Sequence, residues 1–342
     1  MIYNDAVNIS ATHIIPKATY LYGLDDYQIT LISPHEGGRG KCGLNRGECQ
    51  IREEILMENA IKQLDEMKIK YHSIQPIRDK NGISLYRVIC DDKTYVLKYF
   101  ASEADRREIE NYQILQSLGI QTIEMVSHSE KSVLLEDIEG SDIYRLGVEA
   151  DLNDIGVAAG VARWYRQLHQ SGEAFVRVHG DDLYDENDII SLENIEIIKT
   201  KTSTQSNPVW AEIEENLDVI LSIVKAAKRT LTYNDFYYTN MVVRKDKSEA
   251  FMFDYNLLGK GYAYADIRNV CSVLGENARR VFLDEYGGFD EFEVLVDNVV
   301  SVIVTLYFAC KLKKFPQWAM PQLNSVNSGL SESVRELICN AK

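Results

Sequence analysis

The chain has 342 residues, 45% apolar and 26% charged, a balance that excludes a disordered or fibrous protein and leaves room for one large or two medium domains. Fifty-two acidic against 37 basic residues give a net charge of −15, which repels nucleic acid and anionic membranes and either draws cationic partners or serves solubility alone. The start, MIYNDAVNISATHIIPK, lacks the pattern of a secretory leader, and the six cysteines show no C-x-x-C spacing, so the expectation is a cytoplasmic protein without disulfides or structural zinc.

Residues 1–50 carry no clear periodicity and are set apart as an N-terminal extension. Within them HEGGRGKCGLNRGE, 35–48, is glycine-rich, and Gly40-Lys41 resembles the end of a Walker A motif. His35 stands where that motif needs its first glycine and Cys42 where it needs Ser or Thr, so a flexible polar loop is expected instead. From Ile51 to about Lys70, Ile55, Leu56, Ile61, Leu64 and Met67 predict an amphipathic helix. Two strands follow, SLYRVIC at 84–90 and TYVLKYF at 94–100, with Asn81-Gly82 marking the turn before them and Asp-Asp-Lys at 91–93 the turn between them.

A helix is expected over 102–119, with Ser102 as N-cap, Ile109, Tyr112, Ile114 and Leu115 as apolar anchors and Gly119 as the stop. SVLLEDI, 132–138, reads as another strand. Beyond it the pattern turns helical, with helices over 154–172 and 211–229 and a polar connection at 199–208. Strands at 240–244 and 250–254 form a hairpin, and helices fill the remainder. VVSVIVTLYFAC, 299–310, is too short to span a bilayer between Asp297 and Lys311, and a buried helix is the expectation. The organisation expected is an extension over 1–50, a strand-rich part over 51–138 and a larger helical part over 139–342, the last two forming lobes around a cleft.

Moving a phosphoryl group from ATP to a hydroxyl requires a cation for the phosphates, an anion to steady that cation, oxygen ligands for Mg²⁺, and a carboxylate beside the attacking hydroxyl. Lys98 sits inside an apolar strand, where it either reaches a partner or points to water from an edge. Ten residues on, Glu108 and Glu110 lie in one helix about 200° apart, so only one can face the lysine, and Glu108 is favoured by its place relative to the apolar face. In LTYNDFYYTNMVV, Asp235 and Asn240 are five residues apart in a loop between strand-like segments, a spacing that lets Asp235 approach an acceptor hydroxyl while Asn240 offers its carbonyl oxygen to Mg²⁺. Asp254, closing FMFD, supplies the anionic oxygen that ion prefers. Each alone is an ordinary turn former. Three together at strand boundaries are harder to dismiss.

These residues resemble, in order, the motifs of aminoglycoside phosphotransferases and choline-kinase-like enzymes, the small-molecule branch of the protein-kinase fold. The matching stretches are YVLKYF, the helix with Glu108, LLEDIEG, YNDFYYTNMVV and MFDYNLLGKGYAYADI, and the resemblance covers about 51–310. The family's catalytic loop reads H-x-D-x-x-x-x-N. Asp235 and Asn240 fit its offset, whereas Tyr233 stands in the place of the histidine. The resemblance implies an α+β, two-lobed fold with a small antiparallel-sheet lobe and a larger helical lobe. It implies ATP and Mg²⁺ as cofactors, with Lys98 and Glu108 at the phosphates, Asn240 and Asp254 at the metal, and Asp235 at the acceptor. It also puts residues Asn81 to Ser84 in the place of a nucleotide-positioning loop, main-chain groups of Glu136 and Ile138 at the adenine, and Asp266 behind the catalytic loop as a brace. His169 reads as packing.

HGDDLYDEND, 179–188, is a competing candidate for that loop. It fails because the fifth residue after Asp181 is Glu186 and no strand ending in aspartate follows closely. Tyr255-Asn256 after Asp254 replaces the Phe-Gly of protein kinases, which implies a small-molecule acceptor. The acidic clusters Asp181, Asp182, Asp185 and Glu186, and Glu276, Asp284, Glu285 and Asp290, suit a cationic, aminoglycoside-like alcohol or are a solvated surface. A choline, ethanolamine, amino-alcohol or sugar kinase, and a non-catalytic protein of the spore-coat type on the same fold, are the alternatives.

Overall fold

The computed structural model describes residues 46–91 and 93–340, with side chains from Glu54 onward. The first forty-five residues, including most of the glycine-rich stretch at 35–48, and Asp92 of the turn at 91–93 lie outside the described residues. The rest divides into two compact units. One runs to Leu146 and takes in the distant segment Phe253–Asn256; the other comprises Gly147–Met252 and the residues from Leu257 on.

The first unit opens with α1 (Arg46–Glu66). Its covered face is built from Ala60 and Leu64, with Met57 and Met67 beside them, and not from Ile55 and Ile61, which are 52% and 37% exposed. Positions 57, 60, 64 and 67 follow helical spacing, and the two isoleucines fall off that stripe. The helix ends at Glu66, short of Lys70, because Lys68 turns left-handed with φ +57°.

Next come β1 (Ser73–Lys80), β2 (Ile83–Ile89) and β3 (Thr94–Phe100). Asn81 and Gly82, with φ of +54° and +83°, make the two-residue turn between β1 and β2, in the left-handed conformation that such hairpins require. After a 3₁₀ turn (Glu103–Arg106) whose second amide, Ala104 N–H, is capped by the Ser102 hydroxyl, α2 spans Arg107–Ser117 and stops at Gly119, φ +67°. β4 (Met125–His128), β5 (Ser132–Glu136) and the short β6 (Tyr144–Leu146) complete the unit. β1 to β5 form one antiparallel sheet in the order β1-β2-β3-β5-β4. Tyr86, Val88, Leu97 and Leu134 pack against Ala60 and Leu64 of α1 to make its core.

The second unit starts from α3 (Ile155–His179), capped by Asp154, whose carboxylate accepts from the amides of Gly156 and Val157. Gly172 does not end this helix. It lies buried inside it, and a Cβ there would come within 2.6 Å of the Leu231 amide nitrogen, so the glycine lets the following strand approach. α4 (Leu192–Thr202), α5 (Val209–Glu215) and α6 (Leu217–Ala226) follow. The single helix expected over 211–229 is two helices broken at Asn216, whose side-chain amide donates to the Glu212 carbonyl in competition with the helix ladder.

β7 (Thr230–Thr232), β8 (Met241–Arg244), β9 (Ala250–Met252) and β10 (Gly259–Gly261) are short, with β7 paired to β10 and β8 to β9, both antiparallel. α7 (Ala263–Val273), α8 (Glu276–Tyr286), α9 (Glu291–Lys311), α10 (Met320–Val326) and α11 (Leu330–Asn340) end the described chain. α9 is long and apolar enough to cross a bilayer, yet 72% of its most apolar stretch is buried inside the protein, where it packs on α4 and α11.

Candidate active site

Lys98 lies on β3 with only 7% of its surface exposed, since the strand sits between β2 and β5 and its inner face is covered. Its ammonium is 2.6 Å from Glu108 Oε2 and donates to Asp254 Oδ1 at 2.8 Å. Glu108 is fully buried on α2, whereas Glu110 is exposed on the opposite side of that helix. Asp254 is two residues past the end of β9, in an irregular segment, and holds a left-handed backbone with φ +66°, which Asp tolerates better than most residues.

One face of α2 fixes that segment. Glu108, Asn111 and Tyr112 are spaced i, i+3 and i+4 and so point the same way. Glu108 meets Lys98, the Asn111 side-chain amide donates to the Tyr255 carbonyl at 2.7 Å, and the Tyr112 ring sits edge-on to Tyr255, centroids 4.8 Å apart. Burial works against the Lys98 ammonium, but Asp254 and Glu108 outweigh it and raise its pKa. Burial pushes the Glu108 carboxyl up, and Lys98 opposes it. The result is one buried cation between two carboxylates, of which only Asp254 reaches solvent, its side chain 34% exposed.

Asp235 and Asn240 belong to the second unit, in the loop between β7 and β8. The Asn240 side-chain amide donates to Asp235 Oδ2 at 2.8 Å and to its carbonyl at 3.3 Å, so the five-residue spacing closes on itself. The loop is anchored from behind. Asp266, completely buried on α7, accepts from the backbone amides of Tyr233 at 2.7 Å and Asn234 at 2.8 Å. Asn234 takes φ +66°, and its side-chain amide bonds Thr232 and the Leu257 carbonyl.

His169 does more than pack. Its Nε2 is 3.1 Å from Asp266 Oδ2 and its Nδ1 is 2.7 Å from the Tyr286 hydroxyl. The carboxylate only accepts, so Nε2 donates to Asp266, while Nδ1 pairs with the Tyr286 hydroxyl. Tyr233, which stands in the place of the family's loop histidine, is fully buried against Trp164 and Tyr165 and braces the loop by ring packing. Two residues past Asp235, the partly exposed rings of Tyr237 and Tyr238 lie against each other at a tilt of 34°, centroids 4.5 Å apart.

The remaining candidates fall as follows. Ser84 lies on β2, almost fully buried, with its hydroxyl donating to Asp79 Oδ1 at 2.8 Å. The Glu136 amide donates to the Glu124 carbonyl, and the Ile138 carbonyl accepts from Ser141. Asp137 between them is held by Arg87, whose Nε donates to its carboxylate at 2.6 Å. Of the acidic clusters, Asp185 is paired with Arg229, the Glu285 carboxylate pairs with Arg166 at 3.5 Å, and Asp290 caps α9, so part of that charge is structural. Sequence reasoning missed Asn111 and Tyr286. The spacing of Asn111 three residues after Glu108 was a usable signal; for Tyr286, far along the chain, there was none.

The sequence profile of the phosphotransferase enzyme family matches residues 73–295, more than half of the chain. No curated protein sequence matches it significantly. Among solved structures, a choline kinase from Streptococcus pneumoniae superposes with TM-score 0.52 at 14% identity, over 82% of this chain and 99% of that one. A choline/ethanolamine kinase family protein from Mesorhizobium loti gives 0.53 at 12% identity, over 83% and 99%. The AMP-bound complex of a spectinomycin phosphotransferase gives 0.52 at 13%, over 82% and 98%. The fold is therefore α+β and protein-kinase-like, as the motifs implied.

Proposed function

We propose that this chain, which belongs to the phosphotransferase enzyme family, moves the γ-phosphoryl group of ATP, with Mg²⁺, onto a hydroxyl of a small cationic molecule. Family membership makes it a small-molecule phosphotransferase. The nucleotide, the metal and the nature of the acceptor are inferences from the residues. One observation carries them above all: Lys98 is buried between Glu108 and Asp254, at 2.6 and 2.8 Å. A buried strand lysine with two carboxylates is costly unless its charge is used, and a phosphate tail is the anion for which a steadied ammonium is suited.

In this reading Lys98 binds the phosphates and Glu108 holds its ammonium in place. The Glu136 carbonyl and the Ile138 amide meet the adenine, and Ser84, bonded to Asp79, ties β2 to β1 at the hairpin turn. Mg²⁺ takes hard oxygen ligands and needs few from the protein when phosphates and water complete its shell. Asp254, a partly exposed carboxylate, and Asn240, an amide, fit that donor chemistry. When bound, the ion would neutralise charge that builds on the phosphates during transfer. Asp235 accepts the proton of the acceptor hydroxyl, oriented by the Asn240 amide and by a loop whose backbone is pinned to Asp266.

Support for a cationic acceptor comes from the net charge of −15 and from the tilted, partly exposed pair Tyr237–Tyr238 in the same loop as Asp235, whose rings are of the kind that attracts a cation. The test is ADP release measured over a panel of acceptors: amino alcohols, quaternary ammonium alcohols, aminoglycosides and neutral sugars. Turnover confined to the cationic members supports the reading. Turnover with neutral sugars alone removes the cationic acceptor but leaves the phosphotransferase. No release with any of them, although ATP binds, removes the small alcohol acceptor.

A further inference from the structure

The segment HGDDLYDEND, which fails as a catalytic loop, lines a cavity of about 690 Å³ in the second unit. That volume lies in the range of small-ligand pockets. Val176 of α3, Ile190, and Leu221 and Val224 of α6 give it an apolar floor. Beside the floor a half-buried Arg229 pairs with the buried Asp185, and the Lys260 ammonium donates to the Gly180 carbonyl at 2.6 Å, leaving two of its three protons for other acceptors. At the rim Lys228 pairs with Glu173 at 2.8 Å. Arg177, Lys225, Asp181 and Asp188 are exposed there, and among the described residues no ion pair joins any of these four. Neither Asp235 nor Asn240 lines the cavity.

Once the two ion pairs are set aside, three cations and two carboxylates surround an apolar floor. A ligand with only a positive charge would meet Arg177, Lys225 and Lys260, and one with only a negative charge would meet Asp181 and Asp188. We propose that this cavity is a second ligand site, separate from the phosphotransfer residues, for an apolar zwitterion of the amino-acid or short-peptide class. The ligand's carboxylate turns to Lys260 and the rim cations, its ammonium turns to Asp181 and Asp188, and its apolar body lies on the floor.

Calorimetry with leucyl-leucine, N-acetyl-leucyl-leucine and leucyl-leucinamide tests this on the full chain. The free dipeptide should bind saturably, and each capped form, lacking one charge, about tenfold more weakly. Leu221→Trp, which fills the floor, should abolish the heat, while Asp235→Asn should leave it unchanged. Should the Leu221 variant fail to fold, Lys225→Glu must weaken the free and N-acetylated dipeptides and spare the amide. No heat at millimolar dipeptide, equal affinity for all three compounds, or binding indifferent to the cavity variants would overturn the assignment.

Discussion

Lys98→Met keeps most of the lysine stem and removes the ammonium, which isolates the effect of its charge. Asp254 is partly exposed and can turn to water. Glu108 is fully buried and cannot, so it bears the loss. Breaking a buried pair this way costs about 3–5 kcal/mol. Glu108→Gln leaves Lys98 with Asp254 as partner and costs about 1–3 kcal/mol. The double variant leaves neither charge exposed to the other's absence, so it should recover about 2 kcal/mol relative to the sum of the two singles. Urea unfolding at neutral pH measures all three.

The pH dependence has a definite sign. Burial already raises the Glu108 carboxyl above its ordinary value of 4.5, and without Lys98 it rises further. A carboxyl raised in the folded state favours folding at low pH, so the Lys98→Met protein should regain stability as pH falls from neutral toward 5. Additive single costs, within about 0.5 kcal/mol, together with no recovery at low pH, would refute the coupled buried pair.

Three further outcomes are expected. Asp266→Asn removes a carboxylate that accepts from two backbone amides and faces His169, and should cost roughly 2–4 kcal/mol in unfolding while lowering turnover far more than nucleotide affinity. Gly172→Ala places a methyl 2.6 Å from the Leu231 amide and 2.8 Å from Thr230 Oγ1; the overlap, about 1–3 kcal/mol, should exceed the helix-propensity gain and lower the thermal midpoint. Glu293 is buried on α9, and burial pushes its carboxyl from 4.5 to about 7, so native stability should decline as pH rises from 4.5 through 7, and Glu293→Gln should flatten that slope in denaturant titrations.

The parts of the fold that were legible in the sequence are those with a strong local signal. β2 and β3 announce themselves by β-branched and aromatic runs, Asn81-Gly82 by its turn chemistry, and α2 by its apolar anchors and its glycine stop, whereas Ser102 caps the 3₁₀ turn before α2 and not α2 itself. β1 and β4 do not, because they are edge strands, mostly or half exposed and each with an irregular register, and so lack an apolar alternation. Gly172 reads as a helix end only because its reason for being glycine, the approach of β7, is a tertiary contact. The association of Phe253–Asn256 with the first unit is likewise set by Asn111, Tyr112 and Lys98, more than a hundred residues away. Within the candidate site, Asp235 and Asn240 are close in the chain, and their offset was readable. The partnership of His169, Asp266 and Tyr286 joins three helices and leaves no trace in local spacing.

Phosphotransfer that depends on the Asp235 carboxylate is the claim on which the functional account rests. The most direct measurement compares ADP release by the native protein and Asp235→Asn on a responsive acceptor, with nucleotide affinity measured alongside. The account predicts a loss of about 10²–10⁴ in turnover with ATP affinity retained. Equal turnover in the two proteins would contradict it.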